Sequence, residues 1–315
     1  MMEPTTHNVV AGNLQVSTAF FPAADLPGVG GMVLNTIIAT RDGVIFYVHS
    51  TKMQASSCNS FDHLIPASTA SSANTTPESG HSTNAAAPPA DRPGNVLTLR
   101  PHPNIIILIP ELAAVCNVLL HIVYGMSCER FLPSIETFSA ALQCLRRYGI
   151  SIPDEDATIW TLIANHAPEH PMQVYLIGAT YLIESVCVLA SPYTLDIPVL
   201  QNMVDQDAIA MGAIYLRRLL LLHAELPETL RGITIVPPKE HVSCTVTIQE
   251  AIPIAWRDAV ANLLRRPQVQ ATQVDLIEEV LGSVVGVTHC GKCNDHVRSR
   301  VVEVTEAWAV VQRTI

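Results

Sequence analysis

The stretch that decides the fold runs from Asn35 to Leu64, NTIIATRDGVIFYVHSTKMQASSCNSFDHL. It carries two short apolar and β-branched runs, over 33–40 and 44–48, around the turn pair Asp42 and Gly43. Two such runs joined by Asp-Gly read as a β-hairpin, because glycine accepts the positive φ that a tight turn demands. From residue 50 the period lengthens to three and four residues. Met53, Ser57, Phe61 and Leu64 then share one face, which predicts a helix over 50–64.

Outward from that core, residues 1–31 read as a loosely structured lead-in punctuated by Pro22, Pro27 and Gly28. On the other side, PASTASSANTTPESGHSTNAAAPPADRPGN over 66–95 is nearly all Ser, Thr, Ala, Pro, Asn and Gly. Such a composition cannot repay the entropy of ordering, so it reads as a disordered insertion within one domain. The domain resumes with an apolar strand over 105–109 and a helix over 111–124, whose Leu112, Val115, Leu119, Ile122 and Val123 share a face. A further helix over 133–148 has Ser134 as its N-cap, Arg146 and Arg147 in its last turn and Gly149 as its stop. Another follows over about 154–167. The remainder reads as all-helical, with helices near 171–190, 206–226, 248–265, 273–286 and 290–312.

These residues resemble, in order and spacing, the BTB/POZ domain. The resemblance rests on the Asp42-Gly43 turn, the Phe46, Val48 and His49 element, and Ser57 with Phe61 in the following helix. It continues through the 105–109 strand, Glu111 opening a helix that closes on Tyr124-Gly125, and the Arg147-Tyr148-Gly149 exit of the next one. The whole chain is similar to fungal, mostly mushroom-type, BTB proteins that append a helical region with a Cys-x-x-Cys and end on a Trp-x-x-Val-x-Arg-Thr-Ile tail, here residues 308–315. The resemblance implies an α+β chain. Residues 32–168 would form a small three-stranded sheet capped by helical hairpins, and 169–315 an all-helical domain. It also implies a non-enzymatic interaction module that forms a homodimer or hetero-oligomer, with Asn35, Asp42, Gly43, Phe46, His49, Phe61, Glu111 and Tyr124 as its signature positions.

Some family members recruit cullin-type ubiquitin ligases, so a substrate adaptor is the sharper expectation. Two departures bear on partners. Many dimeric, transcription-related members pair an acid with a base where this chain has Asn35 and Ser50, so a charged corepressor pocket is not implied. Cullin recruiters often carry a hydrophobic-x-Glu just after the Phe61 helix. Here Ile65 is followed by Pro66, and no Glu occurs before Glu78. The rival expectations are a transcription-associated regulator, a scaffold without cullin, and an enzyme built around a metal in the helical half.

Composition narrows the field. The chain has 315 residues, 49% hydrophobic and only 15% charged, with a formal charge of −10. Disorder of the whole chain is excluded by that balance. Arg-Arg pairs occur singly, at 146–147, 217–218 and 265–266, which disfavours nucleic acid as a partner. The most apolar stretch, 105–126, is interrupted by Pro110, Glu111, Asn117 and His121, so no membrane span is expected. The N-terminus lacks a basic region followed by an apolar run, and the eight scattered cysteines suit a reducing compartment. The cytoplasm or nucleus is the expected location.

One motif carries coordination chemistry. Cys290 and Cys293 form a Cys-x-x-Cys, and His241 and Cys244 lie some fifty residues upstream. Together they supply the four nitrogen and sulfur ligands of a structural zinc site, which would pin the 237–247 loop to the last helices. The alternative is a pair of thiols that merely share a helix face. Cys116 and His121, at i and i+5, do not face one another and read as core. His49 reads as a hydrogen-bonded structural residue. The 219–222 leucine run with Tyr215 reads as core of the helical half or as a partner groove.

Overall fold

The structure, a computed structural model, describes residues 14–27, 29–30, 32, 34–66, 105–195, 197–239, 241–266, 273–311 and 313–315. Apart from Pro66, the insertion read over 66–95 lies outside them, as do residues 1–13. The chain divides into two compact units, Met1–Pro153 and Asp154–Ile315.

The first unit is α+β. Its elements are β1 (Gln15–Val16), β2 (Thr36–Ala39), β3 (Val44–Val48), α1 (Ser50–Ser56), β4 (Ile105–Leu108), α2 (Ala113–Tyr124) and α3 (Ile135–Arg147), with a short 3-10 turn at Glu129–Phe131. The hairpin forms as expected, β2 antiparallel to β3 with Ile38 opposite Phe46. β4 returns parallel to β2 and sets Ile107 beside Ile38. Three strands were expected; the described residues hold four, in the order β1-β3-β2-β4. The added β1 is a two-residue strand from the lead-in, parallel to β3 and too short to show a period.

The lead-in is also less loose than its composition implies. Phe20 is fully buried, with ring centroids 6.1 Å from Phe46, 5.5 Å from Tyr124 and 5.2 Å from His121. It thus fills the space between the sheet and α2. β4 is an edge strand covered on one face: Ile107 is buried, whereas Ile106 is 67% and Leu108 75% exposed.

The hairpin turn does two jobs. Gly43, at φ +83°, donates to the Thr40 carbonyl at 3.0 Å and closes the turn. Asp42 accepts the Thr40 hydroxyl at 2.6 Å and the Ala113 backbone N–H at 3.0 and 3.1 Å. A carboxylate on the first N–H of a helix satisfies an orphan donor and opposes the helix dipole. One side chain therefore fixes both the hairpin and the start of α2.

The helix expected over 50–64 stops at Ser56, and side-chain hydrogen bonds explain why. Ser57 donates its hydroxyl to the Tyr148 carbonyl at 2.6 Å and accepts the Phe61 N–H at 2.7 Å, while Asn59 Oδ1 takes the Asp62 N–H. Short polar side chains that bond the nearby backbone compete with helix continuation. Ser60, Phe61, Asp62 and His63 then follow in the left-handed region, at φ 55°, 59°, 56° and 60°. Such residues cost roughly 1–2 kcal/mol each outside glycine. Packing holds them there: Phe61 stacks on Tyr148 at 4.1 Å, and Asp62 pairs with Arg147 at 3.3 Å.

The second unit is helical: α4 (Thr158–Ala164), α5 (Pro171–Tyr181), α6 (Glu184–Thr194), α7 (Val199–Asn202), α8 (Asp205–Thr234), α9 (Val246–Arg265), α10 (Val274–Gly282) and α11 (Gly291–Ala309). α4, placed in the first domain from sequence, lies in this unit. Its buried Trp160 donates to the Asp154 carbonyl at 2.9 Å and sits beside Tyr181. The single helix expected over 171–190 is a helical hairpin, broken at Leu182, φ +60°. The break lets α5 and α6 pack closely: a Cβ at Gly178 would lie 2.8 Å from Cys187 Sγ. α8 runs past its expected end at 226, through Pro227, because Leu226 and Leu230 keep it anchored in the core with Trp256, Leu263, Leu281, Val297 and Trp308. It kinks at Gly212, φ 73° and ψ 163°. No helix among the described residues is long and apolar enough to cross a membrane.

Candidate metal centre

The four ligand candidates come from two places in the second unit. His241 and Cys244 lie in the loop before α9, in a turn closed by Cys244 N–H donating to the His241 carbonyl at 3.0 Å. Cys290 is the N-cap of α11, and Cys293 lies in its first turn. The structure brings all four together, with ligand atoms within 4.8 Å of one another. His241 Nδ1 lies 3.2 Å from Cys244 Sγ and 3.5 Å from Cys290 Sγ, and Cys244 Sγ lies 3.4 Å from Cys293 Sγ.

These separations can be tested against coordination geometry. Zinc–sulfur bonds of about 2.3 Å and zinc–nitrogen bonds of about 2.0–2.1 Å on a tetrahedron give edges of about 3.8 Å between sulfurs and about 3.5 Å between sulfur and nitrogen. The observed set is close to that size. All three cysteines are free thiols. The group can hold a metal ion.

Electrostatics point the same way. The Cys290 thiol is drawn down to about 6, first by the Cys293 backbone N–H and then by the Cys244 side chain. Cys293 moves up to about 12 through burial and its sulfur neighbours. Cys244 is raised chiefly by its hydrogen bond to Cys290. Without a cation, one thiolate therefore suppresses ionisation of the next two. A dication among them removes that conflict, because thiolate is the form that ligates.

A second layer, not foreseen from sequence, ties the same loop to α11. His296 Nδ1 donates to the Lys239 carbonyl at 2.9 Å, and this histidine is not among the four clustered ligand candidates. Arg300 donates to the carbonyls of Val236 at 3.1 Å and Ile233 at 2.6 Å, satisfying the end of α8. His289 is exposed. Arg300 also pairs with Glu303 at 2.9 Å, an i, i+3 spacing that gives no hint of its two backbone partners more than sixty residues away.

The signature positions of the first unit are joints of its framework. Asn35 Nδ2 donates to Ser50 Oγ at 2.8 Å, and Ser50 N–H donates back to Asn35 Oδ1 at 2.9 Å, a neutral and mutually hydrogen-bonded pair. His49 N–H donates to the Tyr124 hydroxyl at 2.9 Å. Glu111 accepts the Tyr148 hydroxyl and Arg147 Nη1, which ties the start of α2 to the end of α3. Burial and this carboxylate push the Tyr148 phenol well above its usual range. His121 donates to its own helix at the Asn117 carbonyl, 2.7 Å away, and Cys116 is held protonated by complete burial.

Searches against protein-family models, curated proteins and solved structures return no match for this chain.

Proposed function

We propose that the chain is a non-enzymatic protein–protein interaction protein. Its first unit is a BTB/POZ-like module that associates with a second copy or a related chain. Its helical unit is held in shape by a structural zinc ion bound to His241, Cys244, Cys290 and Cys293. The observation that carries the zinc assignment is the convergence of one imidazole and three sulfurs from a loop and a distant helix start. Four protein ligands fill a tetrahedron and leave no position for water or substrate, the mark of structural rather than catalytic zinc. Such sites contribute folding energy directly, about 10–16 kcal/mol in zinc-finger peptides.

Support for the first-unit reading is the order of its parts. A hairpin turns at Asp42 and Gly43, His49 precedes α1, β4 lies beside β2, and α2 exits on Tyr124 and Gly125. Cullin recruitment is the narrower form of this reading, with the helical unit holding the substrate.

Elemental analysis of the purified full chain tests the metal. One equivalent of zinc is expected, lost in the Cys290→Ser, Cys293→Ser double variant; well under one equivalent overturns the assignment. Co-purification of two differently tagged copies, with mass spectrometry of accompanying proteins, tests the module. Recovery of the second tag or of a related chain, with cross-links that join residues before Pro153, supports it, a stoichiometric cullin establishes the adaptor, and association without such links, or a strictly monomeric chain without partners, overturns it.

A further inference from the structure

Beyond its Gly212 kink, α8 buries one face and exposes the opposite one. Tyr215, Leu219, Leu222, Leu226 and Leu230 point into the unit. On the outside, Ile214, Arg217, Leu221, Ala224 and Glu228 are exposed and recur at alternating three- and four-residue steps. That is the repeat along which two helices share a seam. Ile214 is 72% and Leu221 37% exposed. Charge along the seam is ordered, with Arg217 toward the N-terminal end, Glu228, flanked by Glu225, toward the C-terminal end, and Arg231, paired with Glu228 at 3.3 Å, beyond it.

We propose that this face pairs antiparallel with the same face of a second copy of the chain. The charge order selects both the occupant and the direction. With a twofold axis passing between positions 222 and 223, Leu221 meets Ala224 of the second copy and Arg217 meets its Glu228. Symmetry repeats each contact, as an isologous interface requires. Parallel pairing would set Arg217 on Arg217 and Glu228 on Glu228, which like-charge repulsion opposes. Ile214 meets Arg231 of the second copy, whose aliphatic stem can cover it while the guanidinium keeps its i, i+3 pairing with Glu228, 3.3 Å in the single chain. Arg218 stays on the flank, held by Glu184 at 2.6 Å. This pairing needs neither the first-unit module nor the zinc ion.

The test uses the full chain carrying Arg217→Lys, which supplies an amine. Within one helix, positions 217 and 228 lie three turns apart, about 16 Å, too far for a zero-length bond. Carbodiimide activation of Glu228 lets the amine displace the activating group as a urea and form an amide, so a 217–228 cross-link must join two chains. Mass spectrometry is expected to find that link. In sedimentation, Arg217→Glu and Glu228→Arg should each raise the dissociation constant of this association about tenfold. The two substitutions combined should restore it to within about twofold. Absence of the 217–228 link, or a double variant that associates no better than either single one, overturns the pairing.

Discussion

The Tyr124 hydroxyl accepts the backbone N–H of His49 at 2.9 Å and lies 3.0 Å from the same residue's Nδ1, both groups buried between the sheet edge and the end of α2. One phenol thus serves two polar atoms at the point where β3 hands over to α1. Tyr124→Phe removes it and leaves the His49 N–H buried without a partner. The expected cost is about 1–3 kcal/mol. Urea denaturation of the full chain measures it; a shift below about 0.5 kcal/mol would mean that water replaces the phenol.

Mild acid should weaken the first unit. Burial lowers the pKa of His49, whose ring also bonds the Met32 backbone, and that of His121, which further faces Arg130. The sign follows from linkage. Both imidazoles are neutral above 6.5 in folded and unfolded chains, so their neutrality costs nothing there. Below 6.5 the unfolded chain takes up protons that the folded one resists, and stability falls as pH drops toward the lowered folded values. Protection factors of amides in α2 should decrease between pH 7.5 and 5.5, and His121→Phe should flatten that dependence. Equal protection at both pH values would contradict the burial argument.

The left-handed turn at Ser60–His63 stores backbone strain at an exposed position. His63 is exposed, so His63→Gly removes the Cβ conflict with little lost packing. A gain of up to about 1 kcal/mol is expected, against a loss of similar size for His63→Val, whose branched side chain tolerates that region least. Thermal midpoints of the two variants should therefore move in opposite directions.

Stripping the metal should act locally before it acts globally. Chelation of the zinc-loaded chain is expected to raise hydrogen exchange over 236–245 and in the first turns of α11, with α2 and the β2–β3 hairpin unchanged. Arg300→Ala in the loaded chain should produce a smaller increase over 233–239 only, because it frees two carbonyls without touching a ligand atom. Loss of protection across both units on chelation would contradict a site confined to the helical unit.

Local chemistry explains which parts of this structure could be read from letters alone. The hairpin was legible because Asp42 and Gly43 interrupt two apolar runs, and the four ligand candidates because thiols and imidazoles are few and their spacing is suggestive. The early end of α1 was not, since Ser57 satisfies helical spacing as well as any residue; only its contact with the Tyr148 carbonyl, ninety residues on, diverts the chain. β1 and Phe20 escaped for a related reason, because two residues carry no period. The break at Leu182 depends on how closely α5 must approach α6 at Gly178 and Cys187, a demand written in tertiary packing.

The distribution of indole rings gives the two units separate optical identities. All three tryptophans, Trp160, Trp256 and Trp308, lie beyond Pro153 and are almost completely buried. Their emission is therefore a private signal of the helical unit, red-shifting when that unit opens and silent when only the sheet melts. Far-ultraviolet circular dichroism sees both. Where the two curves part company on heating, the chain loses its halves one at a time; where they coincide, it falls as a single cooperative body.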